Sequence, residues 1–140
     1  MKPVVRVLVL VACAIGGGAA LHAASVQLPS DKISRTPAQR KIDSTLLFEI
    51  YRKQGKAAEK HVPPGKTGVR IDSKSRALVD VRAEVTPALQ KKVRELGGTI
   101  DSTSAEYRSI VAWVPLLKLE QLAGEPAVIS IIPKPEAAIR

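Results

Sequence analysis

Strand and helix patterns alternate without a break over residues 77–132, and this alternation constrains the fold more than any other feature of the sequence. Apolar and polar residues alternate over 78–83, which is typical of a half-buried strand. A helix cap at Thr86, followed by Pro87, then opens a run with apolar residues at helical spacing, and a Gly-Gly pair ends it at 97–98. The sequence therefore predicts a strand followed by a helix.

The second half of this region adds three strands and another helix. Residues 99–104 are short and polar, which is typical of an edge strand that resists aggregation. Residues 109–114 are apolar on both faces, so we expect a central strand. Pro115 opens the second helix, and residues 127–132 form the last strand. The predicted order is βαββαβ, the ferredoxin-like arrangement, an α+β fold in which two helices cover one face of a four-stranded antiparallel sheet.

The other face of this sheet has no predicted helix on it. The side chains that we expect to face the helices are Val79, Val81, Ile129 and Ile131. Those that we expect on the open face are Leu78, Val128 and Ile132, with Trp113 or its neighbours. A contiguous apolar patch on a small domain indicates a surface that binds a partner. The alternative is that a helix from upstream folds back and covers this face.

We call residues 77–132 the module, and residues 25–76 precede it as a polar spacer. Thr36 and Pro37 form a helix start, and apolar residues at four-residue spacing predict a helix over about 37–54. This helix either packs on the module or recognises a separate partner. Residues 52–76 are the most basic part of the chain and hold several glycines and prolines, so we expect a flexible linker. Attraction of that linker to an anionic polymer or lipid surface is the alternative.

Residues 1–24 have the order of a secretory signal peptide, with a basic start, an apolar run and small residues at the end. The run over 7–15 is too short for a stable membrane span. We therefore expect a secreted or periplasmic protein. One alternative is a buried N-terminal helix, and another is a lipoprotein that is anchored through Cys13.

The residues that carry chemistry are few. Cys13 is the single cysteine and lies in the predicted signal peptide, and residues 77–132 contain no histidine to activate a serine. Asp80 and Glu84 lie near Arg82 and have the pattern of ordinary surface charge. These observations predict no enzyme, no cofactor and no metal site. Since aromatic residues make up 3% of the chain and the two central strands have Trp113 alone for stacking, we expect no nucleic-acid binding.

Four motifs carry a resemblance to a known family: the LVDV strand, the helix that ends in LGG, the YRSIVAWVP strand and the closing VISIIP strand. Over residues 41–133 the chain resembles the N-terminal prodomain of secreted bacterial subtilisin-like serine peptidases, which is similar to the free subtilisin-inhibitor fold. The resemblance implies a module that assists folding of a protease or inhibits it. Its open sheet face would lie against the enzyme, and the extended tail 133–140, with Ile139 and Arg140, would occupy the substrate groove.

The sequence ends at Arg140, where the resemblance would place the start of a catalytic domain. We therefore expect either a stand-alone inhibitor-like module or the N-terminal part of a serine peptidase. The alternative function is an envelope or extracellular protein-binding domain that uses the same face and is unrelated to proteolysis.

Overall fold

A computed structural model describes residues 34–135, and these residues form an α+β structure with a four-stranded antiparallel sheet. The helices are α1 (Pro37–Arg40), α2 (Ser44–Lys53), α3 (Pro87–Glu95) and α4 (Leu119–Ala123), and a 3₁₀ turn over Leu116–Lys118 leads into α4. The strands are β1 (Arg76–Ala83), β2 (Thr99–Ser104), β3 (Ser109–Pro115) and β4 (Val128–Pro133). The predicted fold class and the four-stranded antiparallel sheet are confirmed. The predicted signal peptide at 1–24 lies outside the described residues.

The strands are ordered β2-β3-β1-β4, and every neighbouring pair is antiparallel. The apolar β3 and β1 lie in the middle of the sheet, and the polar β2 lies at an edge. Val79 and Val81 of β1, with Ile110 of β3, point into one core that the helices cover. The alternation of each central strand therefore decides which side chains form the core and which form the opposite face.

Helix α3 begins and ends as the sequence predicts. The Thr86 hydroxyl accepts a hydrogen bond from the Leu89 amide at 3.1 Å, which satisfies one free donor of the first turn. At the other end the Gly98 amide donates to the Val93 carbonyl and the Gly97 amide donates to the Arg94 carbonyl, each at 2.9 Å. This pair of bonds is a Schellman motif, and Gly97 takes the positive φ that the motif requires.

A β-bulge in β4 overturns the predicted facing of two residues. Arg82 pairs with Ser130, whereas Ala83 pairs with Val128, so Ile129 is an extra residue without a partner on β1. Val128 therefore lies in the core at 2% exposure, and Ile129 is 54% exposed. The prediction assumed strict alternation along β4 and was wrong for both residues.

The helix that was predicted over 37–54 is two helices separated by Lys41–Asp43 in the structure. At this break the chain lies along the free edge of β4: the Ile131 amide donates to the Lys41 carbonyl at 2.7 Å, and the Asp43 amide donates to the Ile131 carbonyl at 2.9 Å. The break thus satisfies backbone groups that an edge strand would otherwise leave unpaired.

Helix α2 packs into the same core as the sheet and does not cover the open face. Its buried side chains are Leu46, Leu47, Ile50 and Tyr51. They belong to one apolar cluster with Val79 and Ile131, the inward residues of β1 and β4. The upstream helix therefore packs on the module, as the first alternative for it predicted, and the alternative that it covers the open face is wrong.

The segment that was predicted as a flexible linker is held against the module at several points. The Thr67 hydroxyl donates to Glu49 of α2 at 2.5 Å, and the Leu78 amide of β1 donates to the Arg70 carbonyl at 3.0 Å. Val62 and Val69 pack on the core. The prediction rested on the glycines, prolines and basic residues of the segment and overlooked these two valines, which pack on the core and fix the segment.

Candidate functional site

The candidate site is the face of the sheet opposite the helices, which we call the outer face. Pairing and alternation place ten residues of β1, β3 and β4 on it: Arg76, Leu78, Asp80, Arg82, Ser109, Val111, Trp113, Pro115, Ser130 and Ile132. Their neighbours in sequence on β1 and β3 point into the helix-covered core. Among the described residues no helix lies over this face.

The centre of the outer face is apolar. Leu78 on β1 lies directly opposite Trp113 on β3, and Val111 follows two residues away on the same strand. Leu78 and Val111 are nearly buried, whereas Trp113 is half-buried and Ile132 is 36% exposed. The face therefore presents partly exposed apolar side chains around a tightly packed centre.

Asp80 lies in the middle of this face and is 5% exposed. Its carboxylate accepts a hydrogen bond from the Ser109 hydroxyl at 2.6 Å and forms an ion pair with Arg82 at 3.2 Å. Arg82 also donates to the Tyr107 carbonyl at 3.2 Å. A buried carboxylate is tolerated when it is hydrogen-bonded and paired in this way. The interpretation of Asp80 as ordinary surface charge was wrong, because Ser109 and Arg82 close over its carboxylate in the middle of the sheet.

Arginine side chains frame the tryptophan. The guanidinium of Arg70 lies over the Trp113 ring at 5.7 Å from its centroid, within the range of a cation–π contact. Arg76 donates to the Thr99 hydroxyl on β2 at 2.9 Å and pairs with Asp72 at 2.7 Å. These side chains cross the sheet and link three strands at one end of the outer face.

Asp72 organises the turn that precedes β1. Its carboxylate accepts hydrogen bonds from the amides of Lys74 and Arg76, each at 2.9 Å, besides the Arg76 ion pair. Desolvation alone would raise the pKa of Asp72, but these hydrogen bonds and the Arg76 charge outweigh it and hold the pKa below its ordinary value of 3.8. The turn thereby fixes Arg76 where it enters the outer face.

Backbone hydrogen bonds of Leu78 determine where the β1–β4 ladder ends. The Lys134 amide donates to the Leu78 carbonyl at 3.0 Å, which extends the β1–β4 ladder by one residue. The Leu78 amide, on the same side of β1, is already bonded to the Arg70 carbonyl. The segment at Arg70 therefore occupies the position that a longer β4 would need, and the ladder ends at Lys134.

The predicted partner-binding residues fall into three groups. Leu78, Trp113 and Ile132 lie together on the outer face. Val128 lies in the core, because of the bulge in β4. Ile139 and Arg140 lie outside the described residues.

The sequence interpretation treated the polar part of the face as ordinary surface charge. The alternation of β1 put Asp80 and Arg82 on the same face as Leu78, but it did not show that Asp80 is buried and paired there. The sequence around Arg70 does not indicate that Arg70 lies on this face, because its position over Trp113 depends on how a loop folds back across the sheet.

Other parts of the described chain offer no built site. No three histidine, cysteine or acidic side chains of residues 34–135 come together as metal ligands. A surface depression of about 360 Å³ is lined by Glu49, Arg52 and residues 65–69. Its carboxylate, Glu49, already accepts from Arg52 and Thr67. Within the same residues, none of the helices has both the length and the apolar character needed to cross a membrane.

Comparison with protein families, curated proteins and solved structures finds no significant match. The outer face is therefore the feature of the described residues from which a function can be proposed.

Proposed function

We propose that this chain is an exported, non-catalytic protein-binding module that docks its outer face on a subtilisin-type serine protease and acts as its inhibitor or folding assistant. The observation that carries the proposal is a sheet face that no helix of residues 34–135 covers, with Trp113 and Ile132 partly exposed on it. The prodomain resemblance implies such a face. A partner that covered these side chains would remove apolar surface from water, which is the main source of affinity in most protein association.

We also propose that the fold is ferredoxin-like, as the predicted order of strands and helices implies. The strand order β2-β3-β1-β4 supports this assignment. Helix α3 connects β1 to β2, and α4 connects β3 to β4, so each half of the module has the split βαβ connection. Since many functions share this topology, the assignment supports a docking geometry and does not identify the partner.

The end of β4 supports the proposal that the chain acts as a protease inhibitor. The ladder stops at Lys134, and Pro135 favours an extended backbone at Lys134, the one residue between Pro133 and Pro135. A chain that leaves a docked module in extended form is suited to a substrate groove, because proteases bind substrates as extended strands. In this proposal residues 136–140 carry that contact.

The test is an inhibition and refolding assay with residues 25–140. Purified chain is added to a subtilisin-type protease, and hydrolysis of a chromogenic peptide is followed over time. We expect slow, tight inhibition and faster recovery of activity when the denatured protease is diluted with the chain present. Removal of residues 133–140 should weaken inhibition. Neither inhibition nor assisted refolding would contradict the proposal.

A matched pair of variants tests whether the outer face makes the contact. Ile132→Ser removes a partly exposed apolar side chain from this face, and we expect inhibition to weaken by about tenfold. Leu117→Ser makes a similar change at a side chain that is 53% exposed in the 3₁₀ turn after β3. We expect this control to inhibit normally. Equal effects of the two changes would contradict docking through the outer face.

A further inference from the structure

The outer face carries an excess of positive charge. Arg76 and Arg82 alternate with Leu78 along β1, and Lys134 follows Ser130 and Ile132 in the alternation of β4. Arg70 adds a fourth cation over Trp113. At the register positions of β1, β3 and β4 on this face, Asp80 is the single carboxylate, and it is buried.

Two of the four cations are neutralised within the described residues. Arg76 pairs with Asp72 at 2.7 Å, and Arg82 pairs with Asp80 at 3.2 Å. Each arginine makes a further hydrogen bond, to the Thr99 hydroxyl and to the Tyr107 carbonyl respectively. These two side chains are therefore fixed by the fold itself.

Arg70 and Lys134 form no ion pair within residues 34–135, and both are exposed. They lie close together, since the Arg70 carbonyl and the Lys134 amide both bond to the backbone of Leu78. Leu78 in turn lies opposite Trp113. Two uncompensated cations thus border the apolar end of the outer face.

We infer that the outer face selects a protein surface in which carboxylates border an apolar patch, and that Arg70 and Lys134 are its specificity-determining cations. The apolar centre supplies affinity, and opposite charges at the border favour the correct partner and disfavour a basic one. The inference rests on the proposed use of this face for protein binding, but not on the partner being a protease.

Charge alone would also suit a nucleic acid, but the geometry favours a protein. Proteins that bind single strands stack bases on exposed aromatic rings. Trp113 is the one aromatic residue at the register positions of the outer face, and the Arg70 guanidinium lies over its ring. Stacking of a base would require Arg70 to move away.

The test uses the fluorescence of Trp113, the only tryptophan of the chain. Three probes are titrated into the full chain: a synthetic peptide of alternating Leu and Glu, the same peptide with Gln for Glu, and single-stranded oligothymidine. We expect a saturable change with the Leu/Glu peptide and binding of the Leu/Gln peptide that is weaker by about tenfold. Added salt should remove most of this difference, because the charges are exposed.

The variants carry matched charge changes. Arg70→Gln combined with Lys134→Gln should weaken binding of the Leu/Glu peptide by about tenfold. Lys91→Gln combined with Lys118→Gln removes the same charge from exposed positions on α3 and the 3₁₀ turn, and should leave binding unchanged. Urea unfolding of each variant verifies that the fold is intact.

Four results would overturn the inference: no fluorescence response to the Leu/Glu peptide, equal affinity for the Gln peptide, equal loss in both double variants, or tighter binding of oligothymidine. The protease assay is independent of these outcomes. Inhibition of the protease without a preference for the Leu/Glu peptide would contradict this inference alone. A preference for the Leu/Glu peptide without inhibition would contradict the protease proposal alone.

Discussion

Among the glycines of residues 34–135, Gly98 is the one at which an added methyl group meets most resistance. A Cβ atom there would lie 2.7 Å from the Val93 carbonyl oxygen and 2.9 Å from a Val93 methyl group, so backbone and core would have to move. We expect Gly98→Ala to lower the free energy of unfolding by about 1–3 kcal/mol, because the site is already filled. Urea denaturation measures this. Ser102→Ala, at an exposed edge position, should stay within about 0.5 kcal/mol, and similar losses in both would contradict the packing argument.

Asp72 gives the fold a specific dependence on pH. Its folded-state pKa lies below the unfolded value, so its contribution is fully present above about pH 4 and is lost as the pH falls through the folded pKa. We expect Asp72→Asn to lower stability at pH 7 and to lose less stability than the wild type between pH 7 and pH 3. Urea midpoints across this range measure the difference. Parallel pH profiles for the two proteins would contradict the assignment.

The side chains of β1 show what a sequence pattern can predict and what it cannot. The alternation of β1 correctly separated Val79 and Val81 from Leu78, because a strand turns successive side chains to opposite faces. It did not foresee the burial of Asp80, which depends on Ser109 and Arg82 closing over the carboxylate. Pattern gives the direction of a side chain, whereas its burial depends on neighbours that are distant in sequence.

At the scale of elements, caps and glycines marked the bounds of α3 well, since these signals are local. The break between α1 and α2 was missed. The residues on both sides continue an apolar helical stripe, and Lys41–Asp43 leave the helix to pair with β4. The bulge in β4 was missed for the same reason, because register is a property of two strands together.

The caps of α1 and α2 should differ in their value to the fold. The Asp43 carboxylate accepts from the Thr45 amide at 2.8 Å and begins α2, which buries four side chains in the core. Thr36 caps α1, which has four residues and buries none fully. We expect Asp43→Ala to cost about 1 kcal/mol of unfolding free energy and Thr36→Ala distinctly less, because fraying of α1 leaves the core intact. Equal losses in urea denaturation would contradict this ranking.

At the scale of the whole molecule, the sheet, its two crossover helices and α2 share one apolar core. Buried residues of α2 and of β1 belong to the same cluster, and Lys41–Asp43 protect the β4 edge. A chain limited to residues 77–132 would lose both the core contacts of α2 and the protection of the β4 edge. Small domains bury a low fraction of their surface, so the loss of these contacts removes a larger share of the free energy of unfolding here than in a large protein.

Removal of residues 1–68 should therefore prevent stable folding, although all four strands and α3 and α4 remain. The truncation exposes the core surface that Leu46, Leu47 and Ile50 cover. We expect no cooperative unfolding transition for residues 69–140 and a sharp one for residues 34–140, measured by circular dichroism on heating. In the full chain, Leu47→Ala should cost about 2–5 kcal/mol, as for other buried leucines. A cooperative transition of the shorter chain at the temperature of the longer one would show that α2 is dispensable.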